Sequence, residues 1–247
     1  MNLELLKQKY NYYENKHGIL FNCDCMEFME IVIDKYYELA IVDPPYGISV
    51  GGSKSFGSVG GGNICKVKVY KTFDDSKIPD KEYFRELFRI SKNQIIWGGN
   101  YFIEHLKNTQ CIIIWNKLRG DDNFADGEMA WTSFKKPLEI FDFKWNGMLQ
   151  GDMKNKETRI HPTQKPVALY RWLLQNYAKP NDKIFDSHVG SASSFIACMQ
   201  LGFNFTGCEL DKDYFNESVK RIKLEEAKIE NKFYLSDNSL FEKVNYE

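Results

Sequence analysis

The stretch Leu39–Gly47, with the sequence LAIVDPPYG, constrains the fold more than any other part of the chain. Its four apolar residues have the length and the β-branched content of a buried parallel strand. Two prolines cannot extend a hydrogen-bonded ladder, so the strand is predicted to end at Asp43. Asp43 then lies at the carboxyl end of a strand, where open α/β sheets bind their ligands. An ordinary strand that ends in a Pro-Pro turn would show the same pattern, and these residues alone do not decide between the two.

The composition is that of a globular protein, because 43% of the 247 residues are apolar and 27% are charged. We therefore expect a single α/β domain over residues 1–247. The apolar runs are too short to cross a bilayer and the first residues lack the pattern of a signal peptide, so a cytoplasmic location is expected. The six cysteines form no CxxC pair, which favours reduced thiols and no metal site. The net charge of −1 does not by itself indicate nucleic-acid binding.

A second strand, turn and helix follow later in the chain. The strand Lys183–Asp186 ends in a carboxylate, a turn with Gly190 comes next, and a helix of small residues begins at Ala192. Glu209 ends the next predicted strand, 23 positions after Asp186. At this spacing an acidic residue accepts hydrogen bonds from ribose hydroxyls in nucleotide-binding sheets. Because a carboxylate in the turn repels phosphate but attracts ammonium, the pattern favours S-adenosylmethionine, an adenosine with an amino-acid tail, over a dinucleotide.

Two further stretches allow more than one interpretation. Residues 51–62 contain six glycines and are followed by several lysines, which favours a mobile lid over the site rather than a plain linker. Residues 116–159 alternate aromatic and basic side chains with Asn and Asp turns. One interpretation is a set of antiparallel strands with its own small core, added to the main sheet. The other, which is compatible with the first, is a variable insert that recognises an anionic target by aromatic stacking.

Three motifs, taken in order, resemble those of a known enzyme family. They are Asp43–Tyr46 (DPPY), His161–Pro166 (HPTQKP), and the turn Asp186–Ser191 with Glu209 after it. Their order resembles the β group of the DNA amino-methyltransferases, and the resemblance covers most of residues 18–225 outside the two stretches above. It implies a Rossmann-like α/β fold, with a mostly parallel seven-stranded sheet and helices on both faces.

The resemblance also implies the residues of the site. Asp43 and the carbonyl of Pro44 would accept the two N–H groups of a target amine. Pro45 would stiffen this backbone, and Tyr46 would stack on a base flipped out of the duplex. The residues implied at the S-adenosylmethionine site are Asp24 at the adenine with Cys25 next to it, Glu209 at the ribose, Asp186 and Thr163 at the methionine end, and Lys165, His188, Gly190 and Ser191. The implied partner is DNA, within a restriction-modification system, and no membrane association is expected. A homodimer is one assembly that the resemblance allows.

The sequence leaves two questions open: which amine is methylated, and whether the protein is catalytically active. Within the family an aspartate at the start of the motif favours N6 of adenine, whereas N4 of cytosine and RNA amines offer the same two N–H groups. The family usually has Asp-Pro-Phe and Gly-Ser-Gly where this chain has residues 186–188 (DSH) and 190–192 (GSA). A catalytically silent module that binds cofactor or DNA is therefore the alternative from another class. We expect activity to be retained, because Ala192 can begin a helix without strain if its φ is negative.

Overall fold

The computed structural model describes residues 3–48, 78–120, 125–146 and 149–244. The stretch 51–62 lies outside these ranges, so the proposed lid stays a prediction. The helices are α1 (Leu3–Lys9), α2 (Cys25–Glu30), α3 (Lys81–Ile90), α4 (Val167–Tyr177), α5 (Ser193–Leu201) and α6 (Lys212–Val244). The strands are β1 (Asn11–Asn15), β2 (Gly18–Asn22), β3 (Tyr37–Val42), β4 (Ser91–Trp97), β5 (Ile112–Asn116), β6 (Gly127–Thr132), β7 (Glu139–Asp142), β8 (Trp145–Asn146), β9 (Leu149–Gln150), β10 (Lys183–Asp186) and β11 (Asn204–Cys208). Across the described ranges, no helix combines the length and apolar character that crossing a membrane requires.

One large sheet organises the described residues. Its strand order is β1-β2-β11-β10-β3-β4-β6-β5-β7, and β8 and β9 form a separate antiparallel pair. The five neighbours β2, β11, β10, β3 and β4 run parallel to one another. β6 runs antiparallel to both β4 and β5, and β1 runs antiparallel to β2. The mostly parallel, Rossmann-like sheet is confirmed, but it has nine strands in the described ranges where seven were predicted, because β1 and β7 extend its two edges.

Helices cover both faces of this sheet, as the resemblance implied. Along β3, Leu39 and Ile41 belong to the apolar cluster that contains the helices α4, α5 and α6, whereas Ala40 and Val42 belong to the cluster that contains α2 and α3. The alternation is expected because successive side chains of a strand point to opposite faces. None of the four is more than 1% exposed, so β3 is buried on both sides. A continuous apolar run in the sequence is the signature of such a strand.

The stretch 116–159 contributes to the main sheet, and the prediction that it has its own small core is wrong. β6 occupies the position between β4 and β5. Phe124 lies outside the described residues, and the other aromatic side chains that suggested a stacking surface pack against the two main clusters; they are Trp131, Phe134, Phe141, Phe143 and Trp145. The physical reason is that apolar side chains are stabilised by burial, and the helices of the main sheet supply the apolar surface. The Phe141 ring lies 5.3 Å from that of Trp172 on α4, and the Trp131 ring lies 5.8 Å from that of Phe88 on α3. A role of this stretch in target recognition stays a prediction.

Candidate active site

Four acidic residues lie at the ends of neighbouring parallel strands and meet at one edge of the sheet. β2, β11, β10 and β3 are adjacent, and they lead to Asp24, Glu209, Asp186 and Asp43 in that order. The fold therefore brings together four residues that the sequence had assigned to one site. Within the described part of the chain, no group of three or more His, Cys, Asp or Glu side chains is arranged to hold a metal ion.

Asp43 and Tyr46 contact each other across the turn that the two prolines form. The Tyr46 hydroxyl donates to Asp43 Oδ1. The Tyr46 ring stacks on that of Tyr101, with centroids 5.0 Å apart and planes inclined by 16°. Gly98 follows β4 with a φ of 69°, and a Cβ at this position would overlap the Tyr46 ring. Glycine is therefore required here both for the left-handed backbone and for the close approach of the ring.

Lys165 lies beside Asp43, and its assignment to the cofactor group stays a prediction. Its ammonium donates to Asp43 Oδ2 at 2.5 Å and to the Tyr46 hydroxyl at 3.3 Å. It also lies 2.9 Å from Glu128 Oε2, and Lys117 Nζ lies 2.6 Å from Glu128 Oε1. We call Lys117–Glu128–Lys165–Asp43 the charge chain. With the Lys165 side chain only 3% exposed, the middle of the charge chain is buried.

Sequence reasoning missed Glu128 and Lys117. Lys117 directly follows β5 and Glu128 lies in β6, so their approach to Asp43 depends on β6 entering the sheet next to β4. The only signal in the sequence is one acid within the otherwise uncharged strand GEMAWT. Such an acid occurs in many half-buried strands and is not specific.

The charge chain keeps Glu128 and Lys165 ionised despite their burial. Burial by itself would raise the pKa of Glu128, but the ammonium groups of Lys165 and Lys117 lower it to about 2. Burial disfavours the Lys165 ammonium, yet Asp43 and Glu128 raise its pKa above the ordinary value. Burial raises the pKa of Asp43, Lys165 opposes this shift, and the Glu128 carboxylate adds to it. Asp43 is therefore a more basic carboxylate than a simple Asp–Lys pair would provide.

Asp186, at the end of β10, is held by neutral donors. Its Oδ1 accepts from the backbone N–H of His188 at 3.0 Å, and its Oδ2 accepts from the Ser194 hydroxyl at 2.7 Å. Burial raises the pKa of Asp186 to about 7, and these two hydrogen bonds offset only part of that shift. The Ser187 hydroxyl links the same turn to α3, because it lies 2.8 Å from His188 Nδ1 and 2.7 Å from Tyr83 Oη.

Glu209 approaches the same turn from the end of β11. Its Oε2 accepts from the backbone N–H of Gly190 at 2.8 Å, and its Oε1 accepts from that of Asp211 at 2.9 Å. Burial raises the pKa of Glu209 to about 7. Gly190 has a φ of 56°, and a Cβ there would meet no atom nearer than the His188 carbonyl oxygen at 4.0 Å. The space beside the turn is thus open, while Asp186 is buried and Glu209 half-buried next to it.

Ala192 adopts a left-handed backbone conformation, with a φ of 63° and a ψ of 23°. The negative φ that would leave this position unstrained is therefore not found. The left-handed region costs a residue other than glycine about 1–2 kcal/mol. The surroundings hold Ala192 there, because its N–H bonds to the Val189 carbonyl, its own carbonyl accepts from Ile196, and its side chain is fully buried.

Asp24, Cys25 and His188 form the side of the site nearest β2. Asp24 Oδ1 accepts from the Met26 N–H at 2.7 Å and caps α2. The Cys25 Sγ lies 4.0 Å from His188 Nε2. Burial lowers the pKa of His188 to about 4, so its ring is neutral at pH 7. The geometry thus leaves a flat, uncharged ring near the capping acid of α2.

The two prolines and Thr163 differ in exposure. Pro44 is buried, Pro45 is half-buried and Thr163 is exposed. The Thr163 hydroxyl lies 3.0 Å from His161 Nδ1. The recorded contacts of Thr163 therefore join it to its own motif, and its pairing with Asp186 stays a prediction.

Arg221 on α6 is a further residue that the sequence did not suggest. Its Nη1 donates to the Ser191 carbonyl at 2.6 Å, and its Nη2 donates to Glu157 Oε2 at 2.5 Å. Glu157 Oε1 in turn accepts from the N–H of Val167, the first residue of α4. This link fixes the turn after β10 relative to the segment that carries the motif His161–Pro166.

Comparison with known proteins finds similarity to DNA methyltransferases. A family model described as DNA methylase matches residues 116–220, a range that includes the stretch 116–159. The chain is 24% identical over 250 residues to the Type II methyltransferase M2.LlaDCHI of Lactococcus lactis subsp. cremoris, with 85% of this chain and 91% of the relative covered. It is 24% identical over 253 residues to the Type II methyltransferase M2.DpnII of Streptococcus pneumoniae, with 87% and 92% covered.

Two solved structures share the fold. The PvuII DNA methyltransferase (cytosine-N4-specific) has a TM-score of 0.56 at 12% identity, with 89% of this chain and 94% of that chain covered. TTHA0409 of Thermus thermophilus, solved as a complex with S-adenosyl-L-methionine, has a TM-score of 0.52 at 15% identity, with 85% and 95% covered. At these identities the likeness establishes the fold alone.

Proposed function

We propose that the chain is a DNA amino-methyltransferase of the N6/N4 family, which transfers a methyl group from S-adenosylmethionine to the N6 amine of an adenine in DNA. The match of the DNA methylase family model to residues 116–220 and the similarity to Type II methyltransferases support this proposal. One observation carries the proposal. Asp43, at the end of β3 and followed by two prolines and Tyr46, stands beside the strand ends that bear Asp186 and Glu209. The preference for adenine rests on the aspartate that begins the motif, and N4 of cytosine is the alternative within the family.

The residues at the ends of β10 and β11 fit S-adenosylmethionine. Asp186 is a buried carboxylate and Glu209 a half-buried one, and the donors that contact them are N–H and O–H groups. A carboxylate has about four acceptor positions, so each acid retains capacity for a ligand. Ribose hydroxyls suit Glu209, and the ammonium of the amino-acid tail brings to Asp186 the positive charge that a buried acid requires. The open space beside Gly190 gives such a ligand room to approach the backbone.

S-adenosylmethionine, when bound, supplies a methyl group that its sulfonium already activates. The chain must make the amine more nucleophilic, because its lone pair is delocalised into the ring of the base. Asp43 accepts one N–H of the amine and the carbonyl of Pro44 accepts the other, which favours a tetrahedral nitrogen with a free lone pair. The nitrogen gains the methyl group and loses one proton, which Asp43 or water accepts. Tyr46 stacks on the flipped base, a contact worth about 1–3 kcal/mol by analogy with single-strand binding platforms.

Two contacts of the free protein must change when the base enters. The Tyr46 hydroxyl bonds to Asp43 Oδ1, and the Tyr101 ring covers the Tyr46 ring. The amine replaces the first contact, and the base competes with Tyr101 for the second. Lys165 remains on Asp43 Oδ2, where its positive charge favours the ionised carboxylate that the amine needs.

The experiment that tests the proposal uses S-adenosylmethionine with a trideuterated methyl group. The protein is incubated with unmethylated DNA and, separately, with RNA, and the digested nucleosides are identified by mass spectrometry. We expect labelled N6-methyldeoxyadenosine. Labelled N4-methyldeoxycytidine would move the target to cytosine, and label in RNA alone would change the substrate. If no nucleoside carried the label, the chain would be a silent module and the proposal would fall.

A further inference from the structure

The charge chain contains a carboxylate that the proposed reaction does not use. Glu128 in β6 has a side chain that is 23% exposed, and each of its oxygens faces a different lysine. Lys117 Nζ lies 2.6 Å from Oε1, and Lys165 Nζ lies 2.9 Å from Oε2. The second contact is an ion pair without the alignment of a hydrogen bond. Glu128 is thus joined to Asp43 through a single ammonium group.

We propose that Glu128 is a positioning residue for methyl transfer, which acts through Lys165 on the carboxylate of Asp43. The inference rests on the proposed function and deepens it, because it names the residue that controls the acceptor at the same site. A lysine carries a compact charge on a flexible four-carbon stem, so one partner does not fix its position. Here Asp43 attracts the ammonium from one side and Glu128 attracts it from the other, while the Tyr46 hydroxyl accepts from it at 3.3 Å.

Sharing one cation between two carboxylates leaves Asp43 only partly neutralised. If Lys165 paired with Asp43 alone, the ammonium would stabilise the carboxylate fully and make it a weaker acceptor for an amine N–H. Glu128 holds part of that interaction and adds a negative charge of its own. Lys117 in turn keeps Glu128 ionised. The two acids and two lysines sum to zero charge, which limits the free-energy cost of burying them together.

The other ionisable groups near Asp43 come from several elements. Lys165 precedes α4, Glu128 lies in β6, and Asp186 ends β10 with a pKa that burial raises to about 7. Burial raises the pKa of three neighbouring phenols well above the ordinary value, so they stay neutral; they are Tyr46, Tyr83 and Tyr170. A substitution at Glu128 therefore leaves Asp43, Asp186 and Glu209 as the carboxylates with a raised pKa at the site.

The test compares Glu128→Gln with Glu38→Gln in the full chain. Glu38 is a matched control, because its side chain is 24% exposed, pairs with Lys92 at 2.9 Å, and lies at the end of β3 opposite to Asp43. We expect Glu128→Gln to lower kcat about tenfold or more and to leave the KM for S-adenosylmethionine within about twofold. The acidic limb of the kcat–pH profile should move to lower pH, since Asp43 loses a neighbouring negative charge. Glu38→Gln should keep the wild-type kcat and profile.

Glu128→Asp provides the second variant, with the carboxylate withdrawn by one methylene. We expect the kcat of Glu128→Asp, and the acidic limb of its kcat–pH profile, to lie between those of the wild type and Glu128→Gln. If Glu128→Gln does not fold, the comparison of Glu128→Asp with the wild type tests the inference. A wild-type kcat and pH profile in the folded variants would overturn the inference, as would an equal loss of kcat at every pH. A wild-type protein without methyl transfer would overturn the proposed function, and the inference with it.

Discussion

The acids at the carboxyl edge of the sheet are buried in two different ways. At the end of β3, Asp43 lies 2.5 Å from the Lys165 ammonium, and Glu128 lies on the other side of that cation. At the ends of β10 and β11, Asp186 and Glu209 accept hydrogen bonds from backbone N–H groups and a serine hydroxyl. Burial raises the pKa of both to about 7. Asp43 at the end of β3 thus has a countercharge within the protein, whereas Asp186 and Glu209 at the ends of β10 and β11 contact neutral donors.

The proposed reaction explains why the two ends differ. The target amine is neutral, so an ionised Asp43 needs a countercharge that the protein itself supplies. S-adenosylmethionine brings a positive charge and hydroxyl donors to Asp186 and Glu209, so the burial of these acids is unfavourable mainly in the free protein. We therefore expect the cofactor to stabilise the fold strongly when it binds.

The largest expected effect comes from the acid at the end of β3. Asp43→Asn keeps the shape of the side chain but removes the charged acceptor, so methyl transfer should fall by about 10²–10³. S-adenosylmethionine affinity should change by less than about threefold, because Asp43 acts on the amine. Single-turnover kinetics and calorimetry measure the two quantities. Asp142→Asn, at the exposed end of β7, is the control for an acid at a strand end outside the site. Equal activity in both variants would contradict the role of Asp43.

Glu209→Gln should give the opposite division between binding and chemistry. The amide has one acceptor oxygen where the carboxylate has two, so S-adenosylmethionine should bind about 1–3 kcal/mol more weakly. Methyl transfer at saturating cofactor should fall much less. Glu226→Gln, which removes an acid that accepts from the Tyr13 hydroxyl on the far side of the molecule, is the matched control for calorimetry. An unchanged affinity in Glu209→Gln would remove Glu209 from the cofactor site.

The smallest expected effect concerns the neutral donors around Asp186. Ser194→Ala removes the hydroxyl that donates to Asp186 Oδ2, so the free energy of unfolding should fall by about 1 kcal/mol and the cofactor should bind a few-fold more weakly. Ser193→Ala removes a hydroxyl that is also buried but contacts Arg221 and the Ser191 hydroxyl rather than Asp186, and it should weaken cofactor binding less than Ser194→Ala does. Chemical denaturation and calorimetry on both variants measure these effects. If both lowered cofactor affinity equally, the hydroxyl on Asp186 would have no special role.

The sequence predicted the strand ends well, because local patterns determine them. The apolar run before Asp43 and the two prolines after it define where β3 stops. Asp186 and Glu209 also stand at the ends of short strands, although no proline follows them. Since parallel neighbours end at the same edge of a sheet, the grouping of these acids followed from topology without any knowledge of side-chain contacts.

The sequence did not predict the contacts that depend on distant pairing. Lys165 reaches Glu128 only because β6 enters the sheet beside β4, and no local pattern in the stretch 116–159 specifies that position. The left-handed φ of Ala192 is a similar case. An alanine favours the right-handed region, so the surrounding hydrogen bonds and burial decided its conformation.

The contrast between the end of β3 and the ends of β10 and β11 predicts that cofactor binding releases protons from the protein. The pKa values of Asp186 and Glu209 are about 7 in the folded protein, above the ordinary range of about 4, so both acids hold protons at pH 6.5. Since the unfolded chain loses these protons at lower pH, the contribution of these acids to stability falls as pH rises from about 4 to about 7. A ligand that favours the ionised forms must release the protons when it binds.

Calorimetric titration of S-adenosylmethionine at pH 6.5, in two buffers with different ionisation enthalpies, measures that release most directly. We expect about one to two protons to be released per cofactor, and an affinity that increases as pH rises from about 6 to about 7, below the pKa of about 8 at which an α-amino group loses its proton. The Asp43→Asn variant should release the same number, because its site has its countercharge in Lys165. Binding without proton release and with an affinity independent of pH would contradict the claim that Asp186 lacks a countercharge, and Glu209 lacks its ribose donors, until the cofactor arrives.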